Sequence, residues 1–247
     1  MKVKSILVTQ PKPETEKSPF FDLAKKYNVR IDFREFIHVE GVPVADFRKD
    51  RINFADYTAV ILTSRNAVDH YFRMCNELRF TVPDTMKYFC LTESTAFYIQ
   101  KYIVYRKRKI FYGKQTINDL IDVIKKNKKE KFLLPVSDIH SNEVPDVLDQ
   151  HKIEYSKAVL YRTVVSDLSD LANVNYDMLV FFSPSGITSL FQNFPKFKQN
   201  NTRIAAFGTS TIQAVTEAGL NLDLKAPTPE APSMTMAIEN YIKKVNK

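Results

Sequence analysis

An internal repeat constrains the fold of this chain more than any other feature of its sequence. Three segments recur: an apolar strand with a polar turn and a helix, an apolar strand followed by a polar turn, and a helix that ends in two lysines. The matched segments are 57–72 with 176–191, 88–95 with 204–211, and 120–126 with 238–244. Their offsets are 119, 116 and 118 residues. Three matches at nearly one spacing indicate a duplicated unit.

The segments between these matches also correspond to each other. Residues 6–38 and residues 132–163 each predict two strands around one helix. The chain therefore reads A, B, A′, B′, with two strands in each A piece and three in each B piece. Strands that alternate with helices are typical of a parallel sheet covered by helices, and 247 residues suffice for two such domains. The repeat alone leaves open whether A pairs with B or with B′.

Glycine and cysteine are scarce, and this excludes several classes of protein. With 5 Gly, the chain has no glycine-rich phosphate loop and no dinucleotide-binding motif. Cys75 and Cys90 are the only cysteines, too few for a disulfide framework, and we expect both to pack in the core of a cytoplasmic protein. We find no segment that reads as a signal peptide or a membrane span.

The positive charge is concentrated in one part of the chain. The formal net charge is +8, and residues 41–130 carry 17 basic and 10 acidic groups, an excess of +7. A solvated basic surface is the simplest interpretation of such runs. Nucleic-acid binding is a second interpretation, in which residues 106–109 would contact the phosphate backbone and Tyr102, Tyr105 and Tyr112 would stack on bases. A cleft for a small polyanion is a third, and charge alone leaves all three open.

Hydroxyl side chains follow most of the expected strands, at the turns that lead into helices. Parallel sheets bind ligands beyond the carboxyl ends of their strands, so these turns are where a site is expected. Ser and Thr are common helix N-caps, which is the simplest interpretation of any one turn. Six such turns in two related domains favour a site that binds carboxylates or phosphates at helix N-termini.

Other kinds of site are poorly supported by the sequence. The four histidines are far apart and none is paired with a cysteine, so we expect no metal site; they are His38, His70, His140 and His151. The turn at 183–186 follows a strand but lacks the spacing of a nucleophilic serine. Tyr161 remains as a candidate, because its phenol can donate a proton and its strand leaves one domain just before the second B piece.

Several of these segments together resemble one protein family, uroporphyrinogen-III synthase. The resemblance spans nearly the whole chain. The strings that carry it are Ile-Leu-Val-Thr-x-Pro at the start, Val-Ile-Leu-Thr-Ser-Arg-Asn-Ala-Val, Val-Leu-Tyr-Arg-Thr, Phe-Phe-Ser-Pro-Ser-Gly, Phe-Gly-Thr-Ser-Thr and Ala-Pro-Thr-Pro-Glu-Ala. Phe181–Gly186 and the Thr-Pro that follows the last strand are the more specific of these.

The resemblance implies two flavodoxin-like, parallel-sheet α/β domains joined by a two-stranded linker. In this arrangement A pairs with B′, and A′ pairs with B. Residues 1–37 and 165–247 would form one domain, residues 38–164 the other, and the linker strands would lie near 34–40 and 158–165.

The resemblance also implies a reaction. The family cyclises the linear tetrapyrrole hydroxymethylbilane to uroporphyrinogen III in haem biosynthesis, with loss of water and inversion of the last pyrrole ring. No metal or organic cofactor is implied, nor is a nucleic acid or a membrane, and we expect a monomer. The alternative is a non-catalytic, two-domain protein that binds a small polyanionic ligand.

Carried over by matching positions, the resemblance assigns the site residues. Tyr161 matches the linker tyrosine, which would act as a general acid on the departing hydroxyl. The residues that would bind substrate carboxylates are Thr63, Ser64, Arg65, Ser94, Thr95, Ser183, Ser185, Gly186, Thr209, Ser210 and Thr228. Gln10 and Glu93 depart from the family pattern, with Gln10 in place of an arginine and Glu93 within a turn that commonly holds glycine.

Overall fold

The chain folds into two compact units in the computed structural model, which describes residues 2–171 and 175–246. We call Met1–His38 with Val164–Lys247 the discontinuous unit, and Val39–Thr163 the continuous unit. Over the described residues, no helix is long and apolar enough to span a membrane.

The strands are short, apart from one of 11 residues. In chain order they are β1 (Ser5–Val8), β2 (Arg30–Phe33), β3 (Ile37–Gly41), β4 (Ala59–Leu62), β5 (Lys87–Cys90), β6 (Ile110–Tyr112), β7 (Phe132–Ser137), β8 (Tyr155–Val165), β9 (Met178–Phe181), β10 (Arg203–Phe207) and β11 (Leu222–Ala226).

The α-helices alternate with these strands over most of the chain. In chain order they are α1 (Pro19–Tyr27), α2 (Val44–Phe47), α3 (Arg65–Glu77), α4 (Glu93–Tyr98), α5 (Ile121–Lys126), α6 (Glu143–Gln150), α7 (Pro184–Asn193), α8 (Thr209–Glu217) and α9 (Met234–Val245).

The sheet of the discontinuous unit has the order β11-β10-β9-β1-β2, and its neighbouring strands are parallel. Numbered within the unit, this is the 2-1-3-4-5 order of flavodoxin-like folds. β1 pairs with β9, with Ile6 opposite Met178, so A and B′ share this sheet.

The sheet of the continuous unit repeats this order and adds one strand. Its order is β3-β8-β7-β4-β5-β6, and β8 through β6 form parallel pairs. With β7 and β8 taken first, the five strands again follow 2-1-3-4-5. β4 pairs with β7, with Ala59 opposite Phe132, so A′ pairs with B. The boundary between the units falls within the neighbouring strands β3 and β8.

Each sheet is buried on both faces, which explains why its central strands are apolar throughout rather than alternating. In β4, Val60 and Leu62 pack in one core cluster, whereas Ala59 and Ile61 pack in the cluster on the opposite face. In β1, Leu7 likewise faces away from Ile6 and Val8. Cys75 and Cys90 are buried and free, as expected of packing residues. Polar residues lie outside these cores, beyond the carboxyl ends of the strands.

Candidate functional site

The carboxyl edge of the continuous unit is built around the point where its strand order reverses, between β4 and β7. Parallel α/β sheets form a crevice at such a point. Thr63 and Ser64 follow β4 there, and Asp138 follows β7. The sequence-predicted residues Thr63 and Ser64 therefore lie where a ligand is expected.

Ser64 starts α3 as its N-cap. Its Oγ accepts a hydrogen bond from the Ala67 amide at 3.2 Å, in the extended backbone conformation that caps require. Arg65, the next residue, is exposed, and its guanidinium lies over the Tyr98 ring at 5.3 Å from the centroid. The positive end of a 13-residue helix and an arginine together favour an anion at this turn.

Tyr161 reaches the same turn from β8. It lies opposite Ser137 of β7, and 8% of its surface is exposed. Burial raises the pKa of the Tyr161 phenol, and hydrogen bonding with the side chains of Ser64 and Thr63 offsets this only in part. The phenol is therefore protonated at neutral pH and can act as a donor.

Asp138 is a charged group at this edge that sequence reasoning missed. Its Oδ1 accepts hydrogen bonds from Ser137 Oγ at 2.9 Å, the Ile139 amide at 2.8 Å and the Thr163 amide at 3.1 Å. Burial raises the pKa of Asp138, but these hydrogen bonds and the charge of Arg162 outweigh burial and lower it. Because the carboxylate is ionised, it disfavours a second carboxylate on the β7 side of the crevice.

The turn after β5 differs from what the sequence indicated. Thr92 is the N-cap of α4, and its Oγ1 accepts a hydrogen bond from the Thr95 amide at 3.2 Å. Ser94 is exposed, whereas Thr95 is 3% exposed, and its hydroxyl is 2.9 Å from that of Thr92. Of the two expected residues here, Ser94 alone is open to solvent. Glu93 is the first helical residue and is exposed.

The carboxyl edge of the discontinuous unit repeats the cap of the continuous unit. Ser183, 119 residues after Ser64, is the N-cap of α7 and accepts from the Gly186 amide at 3.3 Å. Gly186 is buried, and an added Cβ would lie 3.3 Å from the Phe181 ring and 3.7 Å from Thr9 Oγ1. The missing side chain lets α7 begin close against the end of β1. Ser185, between them, is half-buried.

Two further turns of this unit hold the remaining sequence-predicted residues. Thr209 and Ser210 are exposed at the start of α8, where Gly208 precedes them with φ of 86° and supplies no side-chain cap. Thr228 lies in a turn after β11, where its Oγ1 accepts from the Ala231 amide at 3.1 Å. All three thus lie at the carboxyl edge of their own sheet, with the α8 amides the least capped.

An apolar pocket of about 340 Å³ adjoins this edge of the discontinuous unit. Phe20, Phe182 and Phe207 line it, beside the first residues of α1 and α9. The rings of Phe182 and Phe207 are 5.8 Å apart. Phe182 directly precedes the Ser183 cap, so an apolar surface and a helix N-terminus lie side by side here.

A known family matches most of the chain. Residues 35–236 match the family model described as Uroporphyrinogen-III synthase HemD. The chain belongs to this family. The matched range includes the turns after β4, β7 and β9, and with them most of the site residues described above.

Individual members of the uroporphyrinogen-III synthase family are similar to this chain over its length. A uroporphyrinogen-III synthase of Chlorobaculum parvum is 23% identical, over 98% of this chain and 100% of that protein. A crystal structure of uroporphyrinogen-III synthetase from Helicobacter pylori superposes with a TM-score of 0.64 at 16% identity, covering 98% and 99% of the two chains. A mutant uroporphyrinogen III synthase from Thermus thermophilus gives 0.56 at 15% identity, covering 98% and 99% of the two chains. These likenesses confirm the predicted two-domain α/β fold.

Sequence reasoning also missed the residues that hold Tyr161. The His70 ring stacks on the Tyr161 ring, with centroids 5.0 Å apart and planes at 18°. Arg73 donates from Nε to His70 Nδ1 at 3.2 Å. The wide separation of the histidines argues only against a metal site. The sequence signal for this other role is the spacing of His70, Arg73 and Glu77 along one helix face.

Cavities elsewhere do not coincide with the predicted residues. A cavity of about 600 Å³ lies at the opposite edge of the continuous unit, beside Phe132 and Tyr155, where β7 and β8 begin. Open α/β sheets bind ligands beyond the carboxyl ends of their strands, so the carboxyl edge, and not this cavity, is the candidate site. Among residues 2–171 and 175–246, no group of three or more His, Cys, Asp or Glu side chains is arranged to hold a metal ion.

Proposed function

We propose that this chain cyclises hydroxymethylbilane to uroporphyrinogen III, with loss of water and inversion of the last pyrrole ring. The observation that carries the proposal is the position of Tyr161. In a chain of this family, a buried, protonated phenol meets the Thr63–Ser64 turn where the strand order reverses. A substrate at this turn would lie within reach of a proton donor and a helix N-terminus.

The hydroxyl-rich turns would bind carboxylates of the substrate. Each pyrrole ring carries an acetate and a propionate, and the N-termini of α3, α7 and α8 favour such anions by about 0.3–1 kcal/mol each at exposed positions. Arg65 adds a full charge on the continuous unit. The pocket lined by Phe20, Phe182 and Phe207 suits the flat, apolar face of a pyrrole ring.

Tyr161 would assist departure of the hydroxyl group. The lone pair of the pyrrole nitrogen forms a C=N bond as the C–O bond breaks, and the Tyr161 proton passes to the leaving oxygen to give water. A ring carbon of the last pyrrole then attacks the exocyclic CH₂ group, and the electron pair returns to the nitrogen. Inversion of that ring requires its bridge to the third ring to break and to form again at its free α carbon, and the proton that this carbon loses returns to the Tyr161 phenolate. Because the nitrogen supplies the electron pair, catalysis would rest largely on holding the substrate in the orientation that closes the inverted ring.

The test is the isomer formed from fresh hydroxymethylbilane. In the absence of a catalyst the chain of four rings closes directly to isomer I, so we expect the protein to divert it to isomer III. The two isomers are separated by chromatography after oxidation. Formation of isomer I alone would overturn the proposal, and tight binding of the bilane without isomer III would support the non-catalytic binder instead.

We propose further that the protein acts as a monomer in the cytoplasm and does not bind nucleic acid. Two basic groups of the 106–109 run have partners within the continuous unit: Arg106 pairs with Asp84 at 2.9 Å, and Lys109 contacts the Asp84 carbonyl. Free, buried cysteines are typical of reducing compartments. Size-exclusion chromatography with light scattering tests the monomer, and oligonucleotide affinity at increasing salt tests the absence of nucleic-acid binding.

A further inference from the structure

The Tyr161 ring is held on one face by His70. The two rings stack at 5.0 Å, and His70 projects from the second turn of α3, the helix that Ser64 caps. His70 is half-buried, and Tyr161 is buried. The stack therefore connects the helix that begins at the candidate site with the strand that carries the phenol.

Arg73 connects the His70 ring to the backbone next to Tyr161. Its Nε donates to His70 Nδ1 at 3.2 Å, and its Nη2 donates to the Leu160 carbonyl at 2.9 Å and the Val42 carbonyl at 3.0 Å. Its Nη1 pairs with Glu77 on the same helix. Because Leu160 immediately precedes Tyr161, one guanidinium fixes both the backbone before the tyrosine and the ring that stacks on it.

Gly41 leaves the space that the guanidinium occupies. A Cβ added at Gly41 would lie 2.6 Å from both Cζ and Nε of Arg73, far inside van der Waals contact. Any other residue at this end of β3 would displace the guanidinium. Gly41, the last residue of β3, therefore leaves room for the Arg73 side chain of α3.

The hydrogen bond from Arg73 sets the tautomer of His70. Since Nδ1 accepts, the ring proton resides on Nε2 and the imidazole is neutral. Burial lowers the pKa of His70, and so does the charge of Arg73, whereas Asp69 and Glu77 oppose them. A neutral, fixed ring stacks on the phenol and adds no positive charge beside it.

We infer that His70 and Arg73 are positioning residues, which hold the Tyr161 phenol at the Thr63–Ser64 turn. The inference rests on the proposed function, since it takes Tyr161 as the proton donor. Each residue has a separate part in this arrangement. His70 fixes the plane of the ring, Arg73 fixes both His70 and the backbone at Leu160, and Gly41 admits Arg73. Displacement of a catalytic group by about 1 Å can cost a factor of about 100 in rate.

Activity measurements test the inference through a double-mutant cycle. We expect His70→Ala to lower kcat roughly 10-fold with little change in KM, because it misplaces the donor and leaves the carboxylate contacts intact. His70→Phe keeps a flat ring and should recover most of the rate. In a Tyr161→Phe background, His70→Ala should cause no further loss, because it acts through the hydroxyl. An equal loss in both backgrounds would overturn the inference.

Phe72→Leu is the matched control for these variants. Phe72 lies on the same helix, but its ring stacks on Tyr102, at 4.5 Å, rather than on Tyr161. It should lower stability without the change in kcat. A kcat loss as large as that of His70→Ala would identify a general effect of loosening α3 and overturn the inference.

A readout that needs no substrate separates this inference from the proposed function. Tyrosine labelled with ¹³C at Cζ reports the state of each phenol, and the Tyr161 signal is the one lost in Tyr161→Phe. In His70→Ala we expect its titration to move toward that of an ordinary tyrosine, and in His70→Phe to stay near wild type. An unchanged titration in His70→Ala overturns the positioning role, whereas a wild-type protein that forms only isomer I overturns the proposed function.

Discussion

At the scale of single residues, the environment of Tyr161 decides what its side chain can do. Resemblance assigns this tyrosine the part of an acid, and the structure adds that it is buried against His70 and meets Thr63 and Ser64. Burial raises the pKa of the phenol, which keeps the proton on the oxygen but makes the group a weak acid. Its contribution would come from a placed hydrogen bond to the leaving oxygen.

Tyr161→Phe should slow formation of isomer III by about 100-fold, the lower end of what general acids contribute. Tyr155→Phe is the matched control, because Tyr155 begins the same strand at its opposite end and hydrogen-bonds with Asp149 instead. Steady-state rates of both variants measure the difference. If Tyr161→Phe turned over as fast as Tyr155→Phe, Tyr161 would have no part in proton transfer.

Gly41→Ala should reduce stability by about 1–2 kcal/mol, since the new methyl group displaces the Arg73 guanidinium from the carbonyls of Leu160 and Val42. Urea unfolding measures the change. Once Arg73 is already alanine, the same substitution at Gly41 should cost almost nothing. A cost that persists in that background would show that the strain lies elsewhere.

At the scale of elements, the same cap recurs in both units, and its variations explain how the turns differ. Ser64 and Ser183 occupy equivalent repeat positions and cap α3 and α7 in the same way. Thr92 caps α4, whereas its repeat partner Gly208 leaves α8 without a side-chain cap. A hydroxyl at a turn can therefore satisfy its own helix, and the uncapped turn leaves more amide groups for a ligand.

Ser64→Ala should cost about 1 kcal/mol of stability and also weaken substrate binding, because Ser64 is both a helix cap and a neighbour of Tyr161. Asn53→Ala removes a side-chain cap just before β4, at the opposite edge of the continuous unit, where Asn53 Oδ1 accepts from the Ala55 amide at 3.2 Å. It should cost the same stability and leave KM unchanged. Thermal unfolding and KM, measured for both variants, separate the two roles of Ser64. If the two variants had equal KM values, Ser64 would act only as a helix cap.

At the scale of the whole molecule, two sheets with one strand order arise from a chain in which the pieces alternate. The A piece at the start of the chain shares a sheet with the B′ piece at its end, and hydrogen bonds connect the two pieces. Asp177 accepts hydrogen bonds from the amides of Lys4 and Ser5, at 2.8 and 2.9 Å, and from Ser5 Oγ at 3.1 Å. Contacts of this kind between residues so far apart in sequence make the discontinuous unit depend on both ends of the chain.

Acid should weaken the discontinuous unit through Asp177. Burial raises the pKa of Asp177, but its hydrogen bonds outweigh burial and lower it below the usual 3.8. The unfolded chain thus takes up the proton at a higher pH than the folded chain does. The stability that the ionised Asp177 contributes is therefore complete above the unfolded-state pKa, and it is lost as the pH falls toward the lower, folded-state pKa.

Asp177→Asn should therefore be less stable than wild type by about 1 kcal/mol near neutral pH, and the gap should narrow below pH 3.8. Urea unfolding over a pH series measures both curves. Asp50→Asn, at an exposed position between α2 and β4, serves as the control and should follow wild type throughout. A gap between Asp177→Asn and wild type that stayed constant with pH would contradict the assigned titration.

Much of this protein was determined by its sequence. The repeat predicted the A, B, A′, B′ order, and the apolar strands predicted sheets covered on both faces. The resemblance predicted that A pairs with B′, and β1 and β9 lie side by side in one sheet. These features follow from local patterns, because hydrophobic period and turn residues act over a few positions and recur at each copy.

The tertiary structure alone decided which hydroxyls are buried and which side chains surround Tyr161. Thr95 and Ser94 are adjacent in sequence, yet one is buried and the other exposed. His70 stacks on Tyr161, Arg73 donates to His70 and to the Leu160 carbonyl, and Gly41 leaves room for Arg73. Gly41 and Tyr161 are 120 residues apart in the sequence. Burial, stacking and the pKa of a phenol depend on contacts between distant segments, and those exist only once the chain has folded.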